Sequence, residues 1–375
     1  MELTDQQKEA RAGFRDFVDA EVVPVADAYE REERVPPALV AEVARRGYLG
    51  AALPEEYGGG GMGMMSCGLL NEEFGRGCSS LRSLLTVHGM VGQALLKWGG
   101  RELRARWLPR LAAGETLAAF ALTEPQVGSD AARVETSARP EGDAYVLDGR
   151  KRWITFGQIA HLFLVFAQCE GKGAAFLVER DSPGLSVTPI SGMLGVRASM
   201  LAELRFEGCR VPRENLVGRV GFGFSHVAAA ALDFGRFTVA SGCVGIGQAS
   251  LEASLKYAAE RRQFGAPLKD HQLIRQMLTS MMANVRAARL LCYRAGYLRD
   301  AGRPEAILET SIAKYFASTA ATKAASDAVQ IHGANGCSAD YPVQRYLRDA
   351  KIMEIIEGST QMQEITIAPY GYQEL

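Results

Sequence analysis

The hydrophobic period of this chain changes twice, and that order removes most of the folds open to 375 residues. Over Asp5 to Glu30, Phe14, Val18, Val22 and Val25 recur every three or four positions, the stripe of an amphipathic helix. Pro36-Pro37 opens a second helix through Leu39, Val43 and Tyr48, and further helical runs cover Met65 to Arg76, Leu81 to Trp98 and Glu102 to Ala112. After Gly114 the runs shorten and turn aromatic or β-branched: Tyr145 to Gly149, His161 to Phe166, Ala174 to Val178 and Ala202 to Phe206. Gly, Pro and Asp separate them, which predicts a small antiparallel sheet or barrel. From about Gly221 helices return. Ile274, Leu278, Met281, Val285, Ala288, Cys292 and Ala295 alternate spacings of four and three, the seam of a long bundle helix. Ala301-Gly302-Arg303-Pro304 stops it, and Pro304 begins another through Leu308, Ile312, Phe316 and Ala320. The Met281-Met282 pair reads as core filling.

The expected architecture is therefore mainly α with a central β domain, divided at 1–118, 119–220 and 221–375. A doubly wound nucleotide fold needs alternating β and α units, and no G-x-G-x-x-G follows a strand here. Lys and Arg number 42 against 43 Asp and Glu, so no basic field attracts nucleic acid or anionic lipid. No apolar run is read as approaching the ~20 residues that span a bilayer, and the N-terminus shows no secretory pattern. The seven cysteines are scattered without a C-x-x-C pair, which argues against a metal site and a disulfide framework and for a reduced, cytoplasmic setting.

Chemistry concentrates in a few segments. In Asp349 to Gln361 a charged helical run turns apolar and delivers Glu357 onto a Gly358-Ser359-Thr360 turn. Gly358 can adopt a positive φ and admit another molecule to the backbone. Ser359 and Thr360 can cap the next helix, whose free N–H groups suit a phosphate or a flavin oxygen. A carboxylate there, behind Ile355 and Ile356, is expected to be partly desolvated and a stronger base than in water. Ala121 to Asp130 offers hydroxyls and backbone N–H groups in an open loop. Arg152-Trp153-Ile154-Thr155 closes a strand, and strand alternation would put Trp153 and Thr155 on one face. Arg261 at a turn suits a pyrophosphate.

Taken together, these segments resemble the acyl-CoA dehydrogenase family over essentially the whole chain. The resemblance rests on Pro54-Glu55-Glu56-Tyr57-Gly58-Gly59, Leu122-Thr123-Glu124-Pro125 with Gly128-Ser129-Asp130, Trp153-Ile154-Thr155, Arg261 with Gln263-Phe264-Gly265, Gln330-Ile331-His332-Gly333, and Glu357-Gly358. It implies an N-terminal helical domain, a middle β-barrel-like domain, a C-terminal four-helix bundle, and FAD as cofactor. By the resemblance, Leu122 and Thr123 meet the flavin pyrimidine edge, and Trp153 and Thr155 lie beside the ring. Arg261, Gln263, Phe264, Gln272, Gln330, Gly333 and Ala334 would reach FAD bound mainly to a neighbouring subunit, and Thr360 and Gln361 would touch its adenosine half. Ser129, Asp233, Arg236 and Gly358 would line the thioester arm. Glu357 matches the general base, removing a proton while hydride leaves for flavin N5. Its backbone N–H and the FAD ribityl hydroxyl would stabilise the enolate. A homotetramer or homodimer is implied, with an electron-transfer flavoprotein or another acceptor taking the electrons.

Two features narrow the resemblance. Arginines common after the catalytic glutamate in fatty-acyl enzymes are replaced by Glu364 and Pro369, and Ile356 stands where an aromatic residue often precedes the base. Cys78 to Ser83, Gly242 to Ile246 and Met353 to Ser359 look like the dehydrogenases of polyketide extender-unit pathways, which act on short polar acyl groups held by an acyl carrier protein, as in hydroxymalonyl or methoxymalonyl biosynthesis. The alternative is a short-chain acyl-CoA α,β-dehydrogenase.

Overall fold

The computed structural model describes residues 2–372, and its C-terminal half is built around one helix, α7 (Ala229–Glu260). The stretch from Val239 to Gly247 is buried without a break, so α7 has no solvent stripe and must be enclosed on all sides. Helices α8 (Gln272–Asp300), α9 (Ala306–His332) and α10 (Val343–Met353) pack with it as a bundle, and α11 (Thr360–Gly371) lies on α9. The expected seam of α8 is buried at Leu278, Met281, Val285, Ala288, Cys292 and Ala295. Met281 is core, whereas Met282 is 37% exposed. On α9 the stripe through Leu308, Ile312 and Phe316 is not the most buried one. Ala313, Ala317, Ala321, Ala324 and Ala328 are, because small side chains let α9 approach α7 closely.

The N-terminal helices are α1 (Asp5–Phe17), α2 (Ala26–Glu32), α3 (Pro37–Arg45), α4 (Met64–Gly77), α5 (Ser79–Trp98) and α6 (Arg101–Ala112). The single helix expected up to Glu30 is broken: a π turn at Val18–Val22 precedes Pro24. Helix α4 presses directly on α7 through glycine. A Cβ on Gly245 would lie 2.0 Å from the Glu72 carbonyl, and one on Gly75 would lie 2.3 Å from that of Gly242.

Between the helical segments lie β1 (Ala118–Ala121), β2 (Ser137–Glu141), β3 (Ala144–Ile154), β4 (Leu162–Cys169), β5 (Lys172–Glu179), β6 (Leu185–Pro189) and β7 (Ala202–Pro212). The sheet is mixed, where antiparallel pairing alone was expected: β1 and β2 both run parallel to β4, in the order β1-β4-β2-β3-β7-β6 with β5 on β4. The parallel pairs come from two short strands, the apolar four-residue β1 and the largely polar β2. The loop from β6 to β7 is clamped onto α10, where Asp349 accepts from Val196 N–H at 2.7 Å.

Among the described residues one helix, Gly223–Glu260 with its leading π turn, is long and apolar enough to cross a bilayer, holding an 18-residue window with a mean hydropathy of 1.3. The sequence reading had found no such run. That window is 72% buried inside the protein, as a central bundle helix must be. Gly245→Ala should cost about 2 kcal/mol, since overpacking outweighs the gain in helix propensity. Chemical denaturation checks this, with Gly13→Ala, which meets nothing within 4 Å inside α1, as the control that should gain up to about 1 kcal/mol from helix propensity alone.

Candidate active site

Helix α10 ends at Met353, and the chain then folds back through a turn in which Glu357 and Gly358 have φ of 54° and 88°. Left-handed backbone is natural for Gly358 but costs a non-glycine residue roughly 1 kcal/mol. The turn is held by donors from three helices. Arg236 Nε of α7 donates to the Glu357 carbonyl at 3.2 Å, and Lys314 Nζ of α9 donates to the Gly358 carbonyl at 2.7 Å. Gln363 Nε2 of α11 donates to both at 3.2 Å. Ser359 then caps α11, accepting from Met362 N–H.

Holding the backbone aims the side chain inward. Glu357 Oε2 is buried without a hydrogen-bond partner, close to Gly235 and Met90. A Cβ on Gly235 would stand 2.6 Å from Oε2, so position 235 has no room for a side chain. The desolvation comes from α5 and α7 rather than from Ile355, which is 57% exposed. Burial pushes the carboxyl up to about 7, against the pull of Arg236, Lys314 and Arg82. A carboxylate poised there is matched to proton abstraction near neutral pH.

A second group forms where β1 and β3 end. Lys151 is wholly buried, donates to Glu124 Oε1 at 2.7 Å and to the Leu122 carbonyl at 3.1 Å, and is pulled down to about 8 by burial. Glu124 in turn accepts from Thr136 N–H and Oγ, at 2.9 and 2.6 Å. The pair fixes the Leu122-Thr123 corner, and Arg152 N–H donates to the Thr123 carbonyl at 2.9 Å. Trp153 does not follow strand alternation. The β3–β7 register slips between Lys151 and Ile154, and Trp153 takes a φ of 62° that leaves its indole 43% exposed, with the Arg152 guanidinium 4.6 Å from its centroid. Thr155 lies beyond the strand end and is half-buried. Ser129 is exposed. The Asp233 carboxylate is engaged by Arg299 at 2.6 Å and 2.9 Å.

A third group sits at the far end of α7. Arg261, Gln263, Gln330, Gly333 and Ala334 line one cleft of about 330 Å³, with the stacked rings of Tyr257 and His332 in its wall. Phe264 is 97% exposed at the tip of a short hairpin, and Gln272 is exposed on the first turn of α8. Thr360 and Gln361 open α11, beside the Glu357 turn. From Arg236 to Arg261 is 25 residues along α7, about 37 Å at 1.5 Å per residue. The cleft and the Glu357 turn of one chain therefore lie at opposite ends of a long helix.

Sequence reasoning missed Lys151, Lys314, Arg82 and Gln363. Only Lys314 carries a local signal, a cation inside the largely apolar run Ile312 to Ala317; Lys151 is hidden between Arg150 and Arg152.

Family models describe the N-terminal, middle and C-terminal domains of acyl-CoA dehydrogenases, and they match residues 4–115, 119–209 and 221–370. The rat mitochondrial short-chain specific acyl-CoA dehydrogenase is 40% identical over 374 residues, covering 98% of this chain and 90% of its own. Butyryl-CoA dehydrogenase from Megasphaera elsdenii superposes with a TM-score of 0.95 at 33% identity, covering 99% of each chain. FkbI, a protein for biosynthesis of the methoxymalonyl extender unit of the Fk520 polyketide, superposes with a TM-score of 0.89 at 34% identity, covering 97% of this chain and 99% of its own. The chain belongs to the acyl-CoA dehydrogenase family. It is a flavin-dependent oxidoreductase whose cofactor is FAD. The residues fit such a group: an uncovered indole stands beside a fixed backbone corner, and Gly333 has open space where a Cβ would point.

The raised carboxyl has a consequence for stability. Between about pH 4.5, the ordinary value, and 7 the native state holds a proton that the unfolded chain has lost, so stability falls as pH rises through that window. Glu357→Gln should therefore stabilise the protein by roughly 3 kcal/mol at pH 8, with the difference fading below pH 4.5. Thermal melts across pH test this. The variant should stay yellow.

Proposed function

We propose that this enzyme oxidises a short, oxygen-bearing acyl thioester carried on an acyl carrier protein, in an extender-unit pathway of the hydroxymalonyl or methoxymalonyl type. The observation that carries the reading is Arg82. Its guanidinium lies on α5, wholly buried, and meets only Thr86 Oγ1 at 2.7 Å, Ser83 Oγ at 3.1 Å and Met353 Sδ at 3.5 Å. Its Nε is buried without a partner, and the charge of Glu357 is among those it feels. A cation buried without a carboxylate suits a pocket that receives an oxygen function better than one filled by an alkyl chain. Glu364 and Pro369 in place of arginines, and the likeness to FkbI, support a carrier protein over CoA.

In this reading Glu357 takes a proton from the hydroxyl on C3, and Arg236 and Lys314 hold the turn that aims it. Leu122, Thr123, Trp153 and Thr155 flank the flavin ring, Thr360 and Gln361 lie toward its adenosine half, and Ser129, Asp233 and Gly358 line the thioester arm. FAD when bound supplies the hydride acceptor. The cleft of Arg261, Gln263, Gln330, Gly333 and Ala334, with Phe264 and Gln272, serves the FAD of a second chain, which makes the enzyme a homodimer or homotetramer. A second reading, oxidation of short alkanoyl-CoA with an electron-transfer flavoprotein as acceptor, is favoured by the 40% identity to a short-chain dehydrogenase.

Anaerobic mixing of the yellow enzyme with glyceryl-derived carrier-protein thioesters and with butyryl- to octanoyl-CoA separates the two. Carrier-protein thioesters should bleach the flavin faster, with the oxidised acyl group seen by mass spectrometry; faster bleaching by CoA esters overturns the proposal. Arg82→Met should lower kcat/KM on the oxygenated acyl group by roughly 10- to 100-fold, as for a lost hydrogen bond to a charged group, and lower any butyryl activity much less when both are compared above the titration of Glu357.

A further inference from the structure

Lys314 is a buried ammonium that no carboxylate pairs with among the described residues. It stands in α9 between Ala313 and Ala317 and is 0% exposed. Taking such a charge out of water costs several kcal/mol even after relaxation, and burial pulls this one down to about 8. Its hydrogen bond goes to the carbonyl of Gly358, at 2.7 Å. The charged and titratable groups that face it are Cys243 and Arg236 from α7, and Glu354 and Glu357 from the end of α10 and its turn. Burial holds the Cys243 thiol up at about 12, so it stays neutral, and Glu354 is taken by Lys351 at 2.6 Å. Glu357 faces Arg236 from α7, Lys314 from α9 and Arg82 from α5. Arg236 already donates to the Glu357 carbonyl, and Arg82 to hydroxyls and a thioether.

We propose that Lys314 is the positioning residue of the base: by gripping the Gly358 carbonyl it keeps the Glu357-Gly358 turn left-handed, and its charge favours the ionised carboxylate. This rests on Glu357 being the base. A lysine that only filled space among alanines would need no such partner, and its desolvation would go uncompensated. Gripping the carbonyl one residue past the base sets the direction of the Glu357 side chain without touching the substrate.

The test uses FAD-loaded enzyme and whichever thioester bleaches it. Lys314→Met should keep its flavin, while the acid limb of its kcat/KM–pH profile moves up by about one unit, a tenfold loss at limiting low pH. Activity rises with pH through the base's titration, and removing a nearby positive charge moves that titration upward. A second readout needs no turnover: the melting-temperature difference between each protein and its Glu357→Gln counterpart, followed against pH, should move the same way. An acid limb and a melting difference that both stay in place overturn the proposal. If Lys314→Met does not fold, Lys314→Gln, which keeps a donor without the charge, decides on the same two measurements. Full turnover by Glu357→Gln would instead remove the base assignment itself, an outcome distinct from an unmoved limb in a Glu357-dependent enzyme.

Discussion

Two successive carbonyl groups, those of Glu357 and Gly358, tie the catalytic end of this protein together. A glutamate in left-handed backbone does not persist by its own preference, so its polar groups must be held from outside. The holders are Arg236, Lys314 and Gln363, one from each of α7, α9 and α11. The Glu357 carboxyl is thus aimed only when those helices are correctly packed, and the same packing buries Oε2 near Gly235 and Met90. Fold and pKa are set by one arrangement: Gly235 makes room, the turn fills it, and the loss of water makes the carboxyl more basic.

Buried cations recur around this site, and each has a different partner. Lys151 is answered by a carboxylate, Glu124, and the pair fixes the backbone corner at Leu122 and Thr123. Lys314 is answered by a carbonyl. Arg82 is answered by hydroxyls and a sulfur, and keeps one N–H unpartnered. The series runs from a satisfied structural pair to a charge whose environment is incomplete within the chain. Since an uncompensated buried charge is strongly destabilising, the least satisfied member is where a ligand would return the most free energy.

Much of this was legible in the sequence, for reasons that differ by element. The α8 seam was readable because the buried positions from Leu278 to Ala295, Tyr293 excepted, obey a four-three spacing. Helix α7 hid its role because burial on all sides erases periodicity, and α9 misled because its close-packing face is alanine rather than its larger apolar residues. The short parallel strands β1 and β2 were invisible, since their pairing with β4 is a long-range choice. At the site, Glu357 and its glycine were readable from local chemistry. The expectation that Trp153 and Thr155 share a strand face failed because a register slip beside a left-handed tryptophan suspends the alternation. Lys314 was missed for a simpler reason. Its partner is a backbone carbonyl 44 residues away, and no spacing rule reports such a contact.

The length of α7 bears on assembly. Its N-terminal end carries Gly235 and Arg236 at the base, and its C-terminal end carries Arg261 at the cleft, about 37 Å away. In the proposed reading a cofactor seated by Trp153 and Thr123 leaves that cleft to the dinucleotide of a second chain. The cleft holds Arg261, Gln263 and Gln330, and Phe264 next to Gln263 is an aromatic ring that is almost wholly uncovered. Placing a second copy so that its cofactor tail enters the cleft covers the ring and gives Arg261 a phosphate to meet. In the proposed assembly the same long helix that enforces burial at one end would make each site depend on two chains.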